Sequence, residues 1–207
     1  MRHQKHDKTK VLFLDVDGVL NSENYFKSAY YKKRNRADER CGMFDDRKVR
    51  LLAQIQKTTN CTIVMSSTWK SMFFSKNKTS KYLVKPFKKC LKKNKIEIID
   101  KIGNQWDRKK ADMYSSVKVV ETEDGTYKFV PNDHPIPIKE FYGRGLAIDI
   151  WLKAHPYVTK FAILDDDIGD LELFGEHFVR TNWYHKDGEK YEGLLPEHVE
   201  KCIKLLM

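Results

Sequence analysis

The chain has 207 residues, which is the size of one domain with an insertion. Its formal net charge of +10 favours an anionic partner. The charged N-terminus precedes only a brief apolar run, so no signal peptide is predicted, and no stretch reaches the roughly 20 apolar residues of a membrane helix. The scattered cysteines form no CxxC pair, so we expect reduced thiols and a cytoplasmic location rather than disulfides or zinc.

The first predicted element is a strand that ends in two carboxylates. Residues 11–14 (VLFL) form an unbroken apolar run, which is typical of a parallel strand buried on both faces. Asp15 and Asp17 follow, and Gly18 lets the backbone turn away. Ligands of open α/β sheets bind beyond the carboxyl ends of the strands, so both carboxylates can converge on one cation there. The alternatives are an acidic turn without function and a calcium loop, whose third acid and later Glu are missing.

An aromatic and basic segment, residues 22–44, separates this strand from the first clear helix. Its aromatic side chains either contact a substrate or pack the segment down, and the sequence leaves both interpretations open. Asp45 or Asp46 is expected to cap a helix that ends near Thr58, because the apolar residues that follow are spaced for one buried face.

The second predicted strand, residues 61–65 (CTIVM), is followed by three hydroxyl side chains. These are Ser66, Ser67 and Thr68. Ser66 comes first after the strand, and its hydroxyl is a candidate contact for a ligand. The alternative is an N-cap for the next helix.

A strongly basic stretch comes next, because residues 70–95 carry ten Lys and no Asp or Glu. A basic helix with interleaved aromatic residues is able to follow a nucleic-acid backbone, and Lys81 and Lys85 are candidate contacts. The alternative is a solvated amphipathic helix whose apolar side packs on the sheet. The two interpretations are evenly balanced.

Residues 103–141 interrupt the repeating order of strands and helices, after a third strand predicted at residues 96–99. Two short apolar runs on either side of Asp124 and Gly125 predict a β-hairpin. Three prolines follow and oppose regular structure. We interpret the segment as a small β-flap rather than a separate domain.

The last part of the chain supplies an arginine and a cluster of acids. Arg144 lies between two glycines that open a helix, and residues 161–164 (FAIL) are predicted as the fourth strand. A short fifth strand is predicted at residues 178–181, and a final helix runs from Pro196 to about Leu206. Acids that gather at a buried strand end repel one another unless a cation lies there. The acids after the fourth strand are Asp165, Asp166, Asp167 and Asp170.

Taken in order, DVDG, SST, Arg144 and DDD resemble the four motifs of the haloacid dehalogenase (HAD) superfamily. The resemblance covers essentially the whole chain. It implies an α/β fold, a Rossmann-like three-layer sandwich with a central, mostly parallel sheet and small cap or flap insertions. Residues 1–207 would form one domain, with a short flap at 22–44 and a β-hairpin cap at 103–141. DVDGVLN, SSTW, RGLAIDIWL and LDDD further resemble HAD domains linked to RNA repair and the phosphatase half of phage polynucleotide kinase–phosphatases.

The resemblance also implies a role for each motif residue. Asp15 would attack phosphorus and become an aspartyl-phosphate, with Asp17 as general acid and base. Ser66 and Arg144 would hold the phosphoryl group, with Lys139 as the reserve for the arginine. Ser67 and Thr68 would contact the substrate, and the basic stretch independently adds Lys81 and Lys85 as candidate contacts. Mg²⁺ is the expected cofactor, Asp167 is expected to point to solvent, and the metal ligands would be Asp15, Asp17, Asp165, Asp166 and, through bound water, Asp170.

The predicted function is therefore that of a Mg²⁺-dependent phosphomonoester phosphatase, and a phosphorylated nucleic-acid end is one candidate substrate. One alternative is a small-metabolite phosphatase of the same superfamily. A second alternative is a non-catalytic nucleic-acid-binding module on this fold, and the intact Asp15, Asp17 and DDD cluster argue against it. No membrane partner is expected, and the sequence does not define the oligomeric state.

Overall fold

A computed structural model describes residues 6–37, 43–104, 117–121, 127–131, 140–183 and 192–207. Within these ranges, no side chain is described for residues 34–37, 79, 81–83, 117–121 and 127–131. The strands are β1 (Asp7–Leu14), β2 (Cys61–Met65), β3 (Ile98–Lys101), β4 (Val117–Glu121), β5 (Tyr127–Pro131), β6 (Lys160–Asp165) and β7 (Phe178–Arg180). The helices are α1 (Glu23–Lys27), α2 (Ala29–Ala37), α3 (Asp46–Thr59), α4 (Lys70–Phe73), α5 (Lys78–Lys93), α6 (Arg144–Ala154) and α7 (Pro196–Leu206), with a 3₁₀ helix at Gly169–His177.

Five of these strands form a parallel sheet in the order β3-β2-β1-β6-β7. The strand order reverses beside β1, which lies between β2 on one side and β6 on the other. Such a reversal leaves a crevice beyond the carboxyl ends of the two central strands, which is where open α/β sheets bind ligands. The predicted α/β class with a central parallel sheet is therefore confirmed, and the sequence DVDG and the DDD cluster follow the two strands at the reversal.

Each face of the sheet is covered by helices because the central strands are apolar on both sides. Leu12 and Leu14 of β1 pack in one core with α3, α5 and α7, whereas Val11 and Phe13 pack in a second core with α6 and the 3₁₀ helix. All four side chains are fully buried. The alternation follows from the two-residue period of a strand, and it produces the three layers that the sequence predicted.

The element boundaries in the structure lie close to those predicted from the sequence. Asp45 caps α3, because its side chain accepts a hydrogen bond from the backbone N–H of Arg47, and the helix ends one residue later than predicted. The third strand begins at Ile98 rather than residue 96, because Lys95 has a positive φ of 57° and Ile96 packs into the core before pairing begins. Residues 178–180 form the short fifth strand of the sheet.

The segment predicted as a flap contains α1 and α2. Tyr25 is buried and donates a hydrogen bond from its hydroxyl to the carbonyl of Phe44 at 3.0 Å. Its ring also packs against the rings of Phe26 and Tyr31. For Tyr25 the structure therefore supports packing rather than contact with a substrate.

In the segment predicted as the second insertion, β4 and β5 pair antiparallel, as the hairpin prediction required. The predicted turn at Asp124 and Gly125 lies outside the described residues, as do Lys139 and Cys41. The function of this hairpin as a cap over the site stays a prediction. In the part of the chain that the structure describes, no helix combines the length and apolar character needed to cross a bilayer.

Helix α5 has the two-sided character that both interpretations of the basic stretch expected. Val84, Phe87 and Leu91 are buried in the core, which accounts for its apolar side. Its described lysines lie on the other side and are exposed. They are Lys78, Lys85, Lys88, Lys89, Lys92 and Lys93.

We expect Cys61 and Cys202 to resist alkylation in the folded protein. Burial raises the pKa of Cys61 to about 11 and that of Cys202 to about 12, so little thiolate forms at pH 8. Cys90 is only half-buried and is expected to react at least about tenfold faster. Peptide mapping by mass spectrometry after iodoacetamide treatment resolves these positions, and equal rates at all three would contradict the packing.

Candidate active site

The ends of β1, β2 and β6 lie side by side and carry the predicted site. The backbone N–H of Asp15 donates to the carbonyl of Leu164 in β6 at 2.9 Å. The backbone N–H of Ser66 donates to the carbonyl of Leu14 in β1, also at 2.9 Å. These continuations of the parallel ladder bring the first, second and fourth motifs to one edge of the sheet.

Three carboxylates converge at this edge. Asp15, Asp165 and Asp166 each offer an oxygen, and these three oxygens lie within 4.8 Å of one another. Asp15 and Asp165 are buried, and Asp166 is half-buried. Hard divalent cations such as Mg²⁺ prefer carboxylate oxygens, so this donor set fits such an ion.

Burial and the close approach of these carboxylates raise their pKa values. Burial raises the pKa of Asp15, and although Arg144 and a hydrogen bond from Ser67 oppose the rise, Asp17 adds to it. Burial and the charge of Asp15 raise the pKa of Asp165 well above its usual range. The same two causes raise the pKa of Asp166 to about 6. A bound cation would favour the ionised form of all three groups.

Arg144, the first residue of α6, partly offsets this repulsion. Its Nη1 atom lies 3.4 Å from Oδ1 of Asp15 and 2.5 Å from Oδ2 of Asp165. Burial alone would lower the pKa of Arg144, but Asp165 and Asp15 together raise it, so the side chain stays charged. The structure thus brings the predicted third-motif residue into contact with the first and fourth motifs.

Gly18 allows the first and fourth motifs to approach so closely. It has a positive φ of 72°, and a Cβ atom built on it would lie 2.1 Å from Cγ of Asp166. Any other residue would collide with that carboxyl group and strain the backbone. The requirement for glycine therefore comes from the neighbouring acid as well as from the turn.

The three hydroxyl side chains after β2 differ in burial and in hydrogen bonding. Ser67 is buried and hydrogen-bonds to Asp15, and Thr68 is exposed. The hydroxyl of Ser66 is buried and has no hydrogen-bond partner among the described residues. A buried polar group of this kind is costly unless a ligand satisfies it, which suits the predicted contact of Ser66 with a phosphoryl oxygen.

Asp170 contacts the backbone at the start of α6. Its carboxylate is buried and accepts backbone N–H bonds from Tyr142, Gly143 and Leu146 at Oδ2 and from Gly145 at Oδ1. These four donors allow Asp170 to fix the start of α6, and with it Arg144. The contact of Asp170 with metal-bound water stays a prediction. Asp170 lies outside the group of three converging acids.

Asp17 also lies outside that group. Its Oδ1 accepts a hydrogen bond from Asn21 and its Oδ2 accepts one from the indole of Trp69, each at 2.9 Å. The predicted contact of Asp17 with a metal ion stays a prediction, and its charge acts on Asp15 as expected of a neighbour. Asp167 is exposed, as predicted.

Sequence reasoning missed Lys70, the first residue of α4. This side chain is half-buried, and its pKa is lowered by burial and by Arg144 and Lys101 but raised by Asp15. It is therefore a second cation beside the nucleophile candidate. Lys70 follows Ser66 by only four residues, but the sequence did not distinguish it from the other lysines of the basic stretch.

Of the two predicted lysine contacts, Lys85 is exposed on α5, and the side chain of Lys81 is outside the described part of the structure.

A family model described as "HAD domain in Swiss Army Knife RNA repair proteins" matches residues 11–186 of the chain. The matched range contains every motif residue of the site. Among curated proteins and among solved structures, nothing matches the chain.

We expect Asp170→Asn to destabilise the fold without weakening Mg²⁺ binding in proportion. An amide in this position turns a donor toward backbone N–H groups, and the loss of charge-assisted bonds should cost about 2 kcal/mol or more in unfolding free energy. Urea unfolding measures the stability, and isothermal titration with Mg²⁺ measures the affinity. Asp167→Asn, an equal change of charge at an exposed acid, is the control. Weaker Mg²⁺ binding at unchanged stability would favour contact of Asp170 with metal-bound water over a purely structural role.

Proposed function

The chain belongs to the family of HAD domains in Swiss Army Knife RNA repair proteins, and from this premise we propose that it is a Mg²⁺-dependent phosphatase that acts through an aspartyl-phosphate on Asp15. Membership makes it a hydrolase of the HAD superfamily. The observation that carries the finer proposal is the position of the Asp15 carboxylate, which lies against Arg144 and converges with Asp165 and Asp166.

The proposed reaction begins with attack of an Asp15 oxygen on the phosphorus of a phosphomonoester. The new bond joins that oxygen to phosphorus, the ester P–O bond breaks, and Asp17 gives its proton to the departing oxygen. Water then attacks the phosphorus of the aspartyl-phosphate and Asp17 accepts a proton from it. The bond between phosphorus and the Asp15 oxygen breaks, which releases phosphate and restores the Asp15 carboxylate. Asp15 and Asp17 are separated by one residue on the same turn, so both the nucleophile and the proton donor are able to reach one phosphoryl group.

The phosphoryl group needs positive charge and donors around it, since it meets a carboxylate nucleophile. Arg144 and Lys70 supply charge on the protein side, and the unpartnered hydroxyl of Ser66 supplies a hydrogen bond. Ser67 holds Asp15, and Thr68 is exposed where it is able to meet a substrate. Asp15, Asp165 and Asp166 would hold Mg²⁺, which would neutralise charge on the phosphoryl oxygens.

A nucleic-acid end is the substrate class that we propose, and three observations support it. The family is described by RNA repair. The exposed lysines of α5 form a basic surface, and α5 follows α4, which begins with Lys70 beside the nucleophile. Lys88 of α5 also reaches back to α4, where its Nζ lies 4.6 Å from the ring centroid of Phe73. A polyanion is long enough to contact both regions, whereas a small metabolite is not.

Phosphate release should require both Asp15 and a divalent cation. Asp15→Asn removes the nucleophile without changing the size of the side chain, so we expect turnover of 4-nitrophenyl phosphate to fall at least about a thousandfold while the circular dichroism spectrum is retained. EDTA should have a similar effect on the wild type, reversed by excess Mg²⁺. Full activity of the variant, or of the wild type in EDTA, would contradict the mechanism.

Reversing charge on α5 should weaken binding of oligonucleotides but not hydrolysis of small substrates. In an Asp15→Asn background, Lys→Glu changes at Lys85, Lys89 and Lys92 should reduce affinity for a phosphorylated single strand at least about tenfold. They should also reduce the slope of log affinity against log salt by about 2, since each lost phosphate contact removes released counterions. Fluorescence anisotropy across a salt series measures both quantities.

The matched control reverses the charge of three exposed lysines outside α4 and α5, namely Lys8 in β1, Lys57 in α3 and Lys204 in α7. It changes the net charge equally, so any general electrostatic effect appears in both triple variants. Equal affinities of the two variants would remove α5 from the proposal and favour a small-metabolite phosphatase. With Asp15 intact, both should hydrolyse 4-nitrophenyl phosphate at the wild-type rate.

A further inference from the structure

The turn after β2 supplies a hydrogen bond to each carboxylate of the first motif. Ser67 bonds to Asp15, and two residues later the indole Nε1–H of Trp69 donates to Oδ2 of Asp17 at 2.9 Å. Trp69 is buried, with 8% of its surface exposed, so water competes little for this bond. Two hydrogen bonds therefore join the second motif to the first. Only the bond from Ser67 involves Asp15, the nucleophile candidate.

The other oxygen of Asp17 is held as well. Asn21 donates from Nδ2 to Oδ1 of Asp17 at 2.9 Å, and its own Oδ1 accepts the backbone N–H of Gly18 at 3.1 Å. The Gly18 donor fixes which end of the amide faces Asp17, because only the oxygen is able to accept that bond. With one donor on each oxygen, the plane of the Asp17 carboxyl group has a single orientation.

Aromatic packing holds the indole in turn. Its ring lies 5.3 Å from that of Phe44 and 5.9 Å from that of Phe87, both edge to face. Phe44 and Phe87 stack on each other at 4.4 Å and are fully or almost fully buried. A ring enclosed in this way has little freedom to rotate, so the direction of its N–H is set by the core.

We propose that Trp69 is a positioning residue, which together with Asn21 holds the carboxyl group of Asp17 in line for proton transfer to the leaving oxygen. The inference rests on the proposed function of Asp17 as proton donor. An indole N–H donates a hydrogen bond but takes up no proton, so it orients the acid without entering the transfer. The basic helix α5 contributes Phe87 to this support, so its inner face acts on the proton donor while its outer face is available to a polyanion.

The test compares two tryptophans that make the same bond in different places. Trp151 is buried to the same degree as Trp69, and its indole donates to Asp100 at 2.9 Å in the second core. Trp69→Phe and Trp151→Phe each remove one indole–carboxylate hydrogen bond and keep an aromatic ring. Both are measured with glycerol 3-phosphate, whose alkoxide needs a proton, and with 4-nitrophenyl phosphate, whose leaving group does not.

The quantity compared is kcat/KM, because it covers binding and transfer of the phosphoryl group to Asp15 and omits later hydrolysis. We expect Trp69→Phe to lower kcat/KM for glycerol 3-phosphate about tenfold to a hundredfold, and for 4-nitrophenyl phosphate less than about threefold. Trp151→Phe should leave the ratio of the two substrates unchanged. Asp17→Asn should show the same selective loss, to a larger extent.

A second readout does not depend on turnover. In a ¹⁵N spectrum of the full chain, the indole N–H of Trp69 should exchange slowly with solvent, and Asp17→Ala should shift its signal while leaving that of Trp151 in place. An unmoved Trp69 signal would overturn the inference. So would equal losses on both substrates in Trp69→Phe, and with an active wild type this result would leave the phosphatase proposal standing. A wild type inactive on every phosphomonoester would overturn both.

Discussion

Mutual repulsion of three carboxylates is the constraint on which the rest of this structure depends. Asp15 comes from the end of β1, and Asp165 and Asp166 come from the end of the neighbouring β6. Parallel pairing of these strands forces the acids together, since a backbone hydrogen bond ties Asp15 to the last residues of β6. The fold therefore concentrates negative charge that its own side chains only partly neutralise, and burial raises the pKa of each acid. Such an arrangement is stable in its ionised form only with added positive charge.

Much of the surrounding structure serves to place Arg144, the arginine that reaches these acids in the described part of the chain. Arg144 begins α6, and the start of α6 is fixed by the four backbone bonds of Asp170. A Cβ atom on Gly145 would come within 2.8 Å of Cγ of Asp170, so this contact also requires a glycine. The last acid of the fourth motif thus acts on the site through the helix that carries the arginine, which explains why it is buried outside the group of three converging acids.

The sequence predicted most of the fold because its signals are local. Apolar runs gave the strands of the central sheet, and Asp45 and Pro196 marked where α3 and α7 begin. The first and fourth motifs were recognisable because acids directly after buried strands are unusual. The functions of Asp170, Trp69 and Lys70 were not predictable in the same way. The hydrogen bonds of Asp170 and Trp69 join residues that are 24 to 52 positions apart in the sequence. No rule of local spacing predicts which carboxylate an indole N–H will contact.

Charge is distributed unevenly between the inside and the surface of this protein. The chain carries a net charge of +10, and the outer face of α5 is basic, whereas the described acids at the ends of β1 and β6 outnumber the cations that touch them. The proposed anionic substrate would therefore be attracted by the surface and repelled by the interior until a cation balances the acids. Trp69 lies between these two regions, since Phe87 of α5 packs against its ring and Asp17 accepts its N–H. A single aromatic residue in this position links the helix proposed to bind the polyanion to the group proposed to protonate its leaving oxygen.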